Sequence, residues 1–297
     1  MKENKKLGQG ITSFQVLVSY YFIAIAVSFG LLRLPGVHQP GIEVSLVDTL
    51  FTAVSAVSVT GLTVFDVSAT YTGFGLFILL LILQLGAIGI MSLGTFVWIL
   101  VGKKIGMRER QLIMIDNNQI NIAGVVHLIQ EIVKILFVIE AFGALILSIH
   151  FKRYFETWEE SIIHGIFTSI SATTNGGFDI TGMSLQPFHL DYFVQFVTMV
   201  LIVLGAIGFP VLTKITTTTY GLLFIVGTLG ILIVEAFHSF KGMRWHEALF
   251  SAMYHSVSTR SAGLTTYDVT TFSEASSIFM SVLMFIGASP SSVGGGI

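Results

Sequence analysis

Residues 48–67 read DTLFTAVSAVSVTGLTVFDV, and the pattern returns at residues 165–180, GIFTSISATTNGGFDI, and at residues 250–269, FSAMYHSVSTRSAGLTTYDV. Each stretch is a short run of small residues, then serine or threonine, then glycine, then an aromatic–aspartate pair: Phe65-Asp66, Phe178-Asp179 and Tyr267-Asp268. Aligned on Gly61, Gly177 and Gly263, the copies stand 116 and 86 residues apart, so a duplicated unit with connectors of unequal length is expected. The match continues downstream, where Gly86-Ala-Ile-Gly89 is echoed by Gly205-Ala-Ile-Gly208 ahead of Pro210. Close helix packing and a proline kink explain that second echo.

Long apolar segments flank each copy: residues 11–34 and 73–101, then 123–151 and 192–213, then 220–240 and 275–297. These match the roughly 20 residues a helix needs to cross about 30 Å of hydrocarbon. The helices expected between them, at 44–57, 159–173 and 245–258, are too short to cross. Such a segment is read as re-entrant, and backbone without helical hydrogen bonds is tolerated at membrane depth only when buried in protein or lining a water-filled cavity. The expected fold is an all-α polytopic membrane protein of helix–pore-loop–helix units, divided 1–122, 123–219 and 220–297.

Composition agrees. Of 297 residues 53% are apolar and 11% charged, with mean hydropathy +0.84, against roughly 25% charged in soluble domains. The absence of cysteine excludes disulfides, thiolate metal sites and cysteine nucleophiles. The basic amino terminus ahead of an apolar run resembles a signal peptide, but the run is too long, and it is read as the first membrane helix. Eight histidines show no metal-ligand spacing, and His255 is expected to be packed. No nucleophile elbow, dinucleotide fingerprint or basic nucleic-acid patch is present, so no catalytic residue, cofactor or nucleic-acid partner is assigned.

Charge is distributed by side. A cytoplasmic amino terminus gives that face eight Lys and Arg residues against five opposite, and places eleven of seventeen acids around the hairpins, a mouth that would concentrate cations. The connector at residues 102–121 is expected to form a short helix at the cytoplasmic surface, against lipid or a partner, or to be a solvated linker.

A desolvated monovalent cation needs oxygens in place of its hydration shell, and backbone carbonyls can face one axis only where glycine frees φ and no Cβ crowds the path. Gly61, Gly177 and Gly263 are therefore the expected selectivity-filter residues, with carbonyls added by Val59, Thr60, Asn175, Gly176, Ser261 and Ala262. A second stretch, GASPSSVGGG, interrupts the last spanning segment. Since proline and successive glycines break a helix, Ser289, Pro290, Ser291, Ser292, Gly294, Gly295 and Gly296 are read as a flexible constriction below the filter or as a simple helix kink or carboxyl-terminal fray. Charges inside spanning segments are functional candidates by default. Glu140 and Glu235 fit either an interhelical hydrogen bond or a role near the pore, while Glu131 and Lys134 are expected to snorkel. Arg260, three residues before Gly263, is expected behind the hairpin, paired with an acid.

VSVTGLTVFD, ATTNGGFDI, STRSAGLTTYDV and GASPSSVGGGI resemble the Ktr/Trk/HKT superfamily of potassium transporters, specifically the membrane subunit of bacterial Ktr systems, over essentially the whole chain. The resemblance implies four helix–pore-loop–helix repeats with pseudo-fourfold symmetry around one pore in a bacterial plasma membrane, the fourth lying beyond residue 297. It implies potassium as the transported ion, bound by backbone carbonyls, passively or by symport, with sodium as a coupling or stimulating ion, and an intramembrane gate loop from Ser289 to Gly296. It further implies a homodimer in membrane lipid and a cytoplasmic nucleotide-binding regulatory subunit. The link at residues 214–220, KITTTTY, is read as a connector shorter than the charged one usual in the superfamily. A sodium or non-selective transporter of the same fold is an alternative. So are a scaffold whose hairpins only pack and a lipid-acting enzyme, for which no polar catalytic cluster is visible.

Overall fold

The computed structural model describes residues 13–89, 106–116, 125–207, 214–288 and Ser292. The chain is all-helical and contains no strand among the described residues. Three groups of helices follow one another. The first holds α1 (Ser13–Leu32), α2 (Leu46–Val57), the single turn α3 (Val67–Thr70) and α4 (Gly73–Ile88). Helix α5 (Met107–Asp116) lies in the charged connector and packs against α1 and α6. The second group is α6 (Val125–Phe151), α7 (Trp158–Thr173) and α8 (Tyr192–Ala206). The third is α9 (Lys214–Glu235), α10 (Trp245–Ser258) and α11 (Glu274–Ile286).

Local sequence sets where these helices start. The short helices begin at Ser45, whose hydroxyl accepts from the Asp48 amide, at Thr157, in a capping box with Glu160, and at Arg244, whose amide donates to Glu247. The second helices begin at Thr72, Asp191 and Ser273, each side chain accepting from amides of the first turn. Polar caps of this kind satisfy the orphan amides of a helix start.

Packing repeats as faithfully as the sequence. Ser169 of α7 donates to the Glu140 carbonyl of α6 at 2.8 Å, and Ser256 of α10 donates to the Phe224 carbonyl of α9 at 2.9 Å. In both pairs a glycine three residues further along the long helix, Gly143 and Gly227, leaves room for that same serine. Interhelical polar contacts over small residues are how helices hold together where lipid removes any hydrophobic bias between them. The first and second groups meet at Leu79, Ile82 and Leu83 of α4, clustered with the buried rings of Phe167 and Phe178. The buried Gln84 amide adds a 2.6 Å hydrogen bond to the Glu140 carboxyl.

Two expectations change. The second helices are shorter than the apolar runs that contain them: α4 stops at Ile88 because Gly89 takes φ +85°, and α11 stops at Ile286 because Gly287 takes φ +70°. Among the described residues, two helices, within Gln130–Phe151 and Thr218–Glu235, are by length and composition able to cross a membrane alone. The stretch at residues 214–220, expected as a connector, is helical and belongs to α9. Glu235 is the last residue of α9 and of that membrane-crossing stretch. Its carboxylate accepts from the Ser273 amide and hydroxyl at 2.8 and 2.6 Å, so it braces the start of α11.

Small residues at the α6–α7 seam are the testable part of this packing. A Cβ on Gly165 would come within 2.6 Å of the Ser148 amide nitrogen and 2.8 Å of its Cα, whereas one on Gly30 would meet nothing within 4 Å. Gly165→Ala is therefore expected to cost about 1–3 kcal/mol by overpacking. Gly30→Ala is expected to cost nothing, both read as thermal unfolding of the purified protein; equal melting of Gly165→Ala and wild type contradicts the seam.

Candidate functional site

Each short helix delivers its chain to a non-helical loop through the same hydrogen bonds. Thr60 donates to the Ser55 carbonyl and Gly176 to the Ser171 carbonyl, both at 2.8 Å, and Gly263 donates to the Ser258 carbonyl at 3.0 Å. The side chains of those serines then fix the residue after each key glycine. Ser55 accepts from the Leu62 amide, while Ser171 and Ser258 donate to the Phe178 and Leu264 carbonyls. A serine in the last turns of a helix thus both ends the helix and tethers the returning strand. Sequence reading registered these residues only as small and polar.

The three glycines share one backbone conformation, with φ +75° at Gly61, +69° at Gly177 and +71° at Gly263. This left-handed region is open to glycine at no steric cost. They also face one another. A Cβ on Gly61 would fall 2.6 Å from the Gly176 carbonyl oxygen and 2.7 Å from the Gly177 Cα, and one on Gly177 would fall 2.7 Å from the Ala262 oxygen and 3.1 Å from the Gly61 Cα. One on Gly263 would lie 3.9 Å from the Gly177 Cα. The structure thus brings all three predicted glycines to one locus, with Gly177 in the middle, and sets the Gly176 and Ala262 carbonyls beside the neighbouring glycine.

The other predicted loop residues divide. Val59 and Asn175 hold φ +52° and +55°, uncommon for residues with a side chain, while the third loop has no such residue. There the single Ser258 carbonyl accepts from Ser261, Ala262 and Gly263 in succession. Behind the glycines the Ser261 hydroxyl donates to Asn175 Oδ1 at 2.8 Å, a direct link between loops of different units. Of the expected gate loop, Ser292 alone is among the described residues; Ser289, Pro290, Ser291, Gly294, Gly295 and Gly296 lie outside them.

The aspartates that follow the loops carry a second function legible only in the structure. Asp66 accepts from the Ser68 and Ala69 amides, Asp179 from the Thr181 and Ser184 amides, and Asp268 from the Thr270 amide. They are turn caps first. Hydrogen bonds from the Ser68 and Thr270 hydroxyls hold the Asp66 and Asp268 carboxyls below the usual carboxylate range, so both stay charged at any ordinary pH.

Arg260, expected to pair with an acid, meets none among the described residues. Its Nε donates to the Gly287 carbonyl at 3.0 Å and its guanidinium lies 4.1 Å from the centre of the Tyr220 ring. Glu131 and Lys134 pair with each other at an exposed 2.9 Å contact. His255 is buried with its ring against Phe272, and no group of three metal-ligating side chains occurs among the described residues. Gly205 packs: a Cβ there would strike the Thr173 carbonyl at the end of α7.

A long helix, a short helix with a returning loop, and a second helix follow one another in each of the three helix groups of this all-helical chain. The chain belongs to the TrkH family of cation transport proteins, whose family profile matches residues 11–223 and again 213–297. It is 50% identical over 311 residues to Ktr system potassium uptake protein D of Bacillus subtilis, covering 98% of this chain and 69% of the relative. It is 33% identical to Ktr system potassium uptake protein B of the same organism, covering 95% and 67%, and 30% identical to potassium/sodium uptake protein NtpJ of Enterococcus hirae, covering 99% and 68%. The crystal structure of the potassium transporter TrkH from Vibrio parahaemolyticus shares the fold, with TM-score 0.65 and 20% sequence identity, over all of this chain and 60% of that one.

The inter-loop hydrogen bond gives a measurable consequence. Ser261→Ala leaves Asn175 Oδ1 buried without its donor and is expected to cost about 1–3 kcal/mol. Ser261→Thr keeps the hydroxyl and is expected to cost less. Thermal unfolding reads both, and a Ser261→Ala protein as stable as wild type contradicts the link.

Proposed function

We propose that this chain supplies glycine-tipped loops of a potassium-selective filter and that the protein takes up potassium across the plasma membrane. One observation carries the reading: Gly61, Gly177 and Gly263 meet face to face in a common left-handed conformation, each just past the carboxyl end of a short helix. Loop backbone without Cβ atoms can turn carbonyls toward an ion and replace its hydration shell. The helix ends add to this, because the unsatisfied carbonyls there amount to roughly half a negative charge per helix. Asp48, Glu159, Glu160 and Glu247 sit in the first turns at the opposite ends, where they oppose the positive pole.

The ion is assigned from the relatives: two are named potassium uptake proteins of Ktr systems and one a potassium/sodium uptake protein. The word system in two of those names supports a multi-component assembly, with this chain as its membrane subunit. The backbone break at Gly287 supports reading Ser289, Pro290, Ser291, Ser292, Gly294, Gly295 and Gly296 as a constriction under the filter. The name of the Enterococcus relative supports a second reading, a transporter that accepts sodium as well.

Gly177→Ser tests the filter, because a side chain there meets the Ala262 carbonyl oxygen. In the protein as the cell makes it, potassium-over-sodium preference in uptake is expected to fall about tenfold, equivalent to about 1.4 kcal/mol. An unchanged ratio at normal protein levels contradicts the filter assignment, and a wild-type ratio near one favours the sodium-accepting reading.

A further inference from the structure

The three units differ where the second helix passes the carboxyl end of the short helix. The residue thirteen positions after the first residue of the second helix is glycine in every unit: Gly86 in α4, Gly205 in α8 and Gly287 just past α11. In the first two units this glycine lies directly against the short helix, since a Cβ would strike the Val57 carbonyl at Gly86 and the Thr173 carbonyl at Gly205. Helical backbone continues past it, to Ile88 and Ala206. In the third unit the helix stops at that position, Gly287 takes φ +70° and ψ −151°, and its carbonyl accepts from Arg260 Nε at 3.0 Å.

Arg260 is well placed to transmit force. It lies in the turn where Ser258 O collects three amides, one residue before Ser261, which reaches the second loop through Asn175. The side chain is buried at 5% exposure, and its guanidinium packs on the Tyr220 ring of α9. No acid neutralises it among the described residues, and its Nη1 has no hydrogen-bond partner there. Leaving a guanidinium donor buried without a partner is costly, so a purely stabilising role would favour a smaller or apolar side chain.

We infer that Arg260 is a positioning residue that couples the third loop to the helix break at Gly287. Its Nε–H, held in the plane of the guanidinium over the Tyr220 ring, sets the direction of the Gly287 carbonyl. A change in the direction of the Gly287 carbonyl pulls on Arg260 and moves the Ser261–Ala262–Gly263 backbone, with Asn175 carrying the displacement to the second loop. The inference rests on the potassium-filter reading for its functional meaning, but the coupling itself is a property of the backbone.

Amide hydrogen exchange on the full protein in lipid separates the two. Gly287→Ala, strained at positive φ, is expected to speed exchange at the amides of residues 261–264, and Arg260→Lys, which keeps the charge and loses the fork, at residues 287–288. Tyr220→Phe, which keeps the ring under the guanidinium, is expected to leave both segments unchanged. In uptake assays Arg260→Lys is expected to lower the maximal rate at least threefold at equal protein level. The Arg260→Lys, Gly287→Ala double variant is then expected to be no slower than the slower single variant. Exchange changes confined to the substituted segment, or rate losses that multiply, overturn the coupling. Wild-type protein that moves no potassium while the reciprocal exchange effect persists overturns the functional reading and leaves the coupling standing.

Discussion

Everything else in this fold depends on three stretches of backbone coming within contact distance with no side chain between them. Gly61, Gly177 and Gly263 meet that condition because each adopts a φ near +70° and presents a bare Cα to its neighbours. Non-helical backbone at membrane depth must be enclosed by protein or line a polar cavity. The surrounding helices supply the enclosure. The serines at positions 55, 171 and 258 hold the loops from the helix side, and Asp66, Asp179 and Asp268 hold them from the other by capping the turns.

Much of this was legible in the sequence, because the repeat announced itself in composition. Three small-residue helices, each followed by Ser/Thr, glycine and an aromatic–aspartate pair, fixed the short helices to within a few residues and named the glycines that meet. The Ser169–Glu140 and Ser256–Phe224 contacts could also have been found, since a glycine three residues past the acceptor recurs in both long helices. Other features were hidden. The early ends of α4 and α11 depend on left-handed glycines inside apolar runs, which hydropathy cannot distinguish from glycines that stay helical. The partner of Arg260 is a carbonyl freed by a helix break, and the search for an acid overlooked it. The threonines at residues 216–219 suggested a link, yet they continue α9, because tertiary context overrides a weak helix propensity.

The repeat is most informative where it fails. The first two loops end in a left-handed Val59 and Asn175, while the third gathers its amides on Ser258 and inserts Arg260. The departure sits opposite the helix break that the other second helices lack at the corresponding glycine. The left-handed glycines are common to the three loops, whereas the Arg260 side chain and the break at Gly287 belong to the third unit.

The central claim is that the three loops form one cation site. Anomalous diffraction from crystals of the protein grown in a rubidium salt tests it directly. The account predicts a rubidium peak on the axis where Gly61, Gly177 and Gly263 meet, coordinated by backbone carbonyls that include those of Gly176 and Ala262. Rubidium peaks found elsewhere, with none between the three loops, would contradict it.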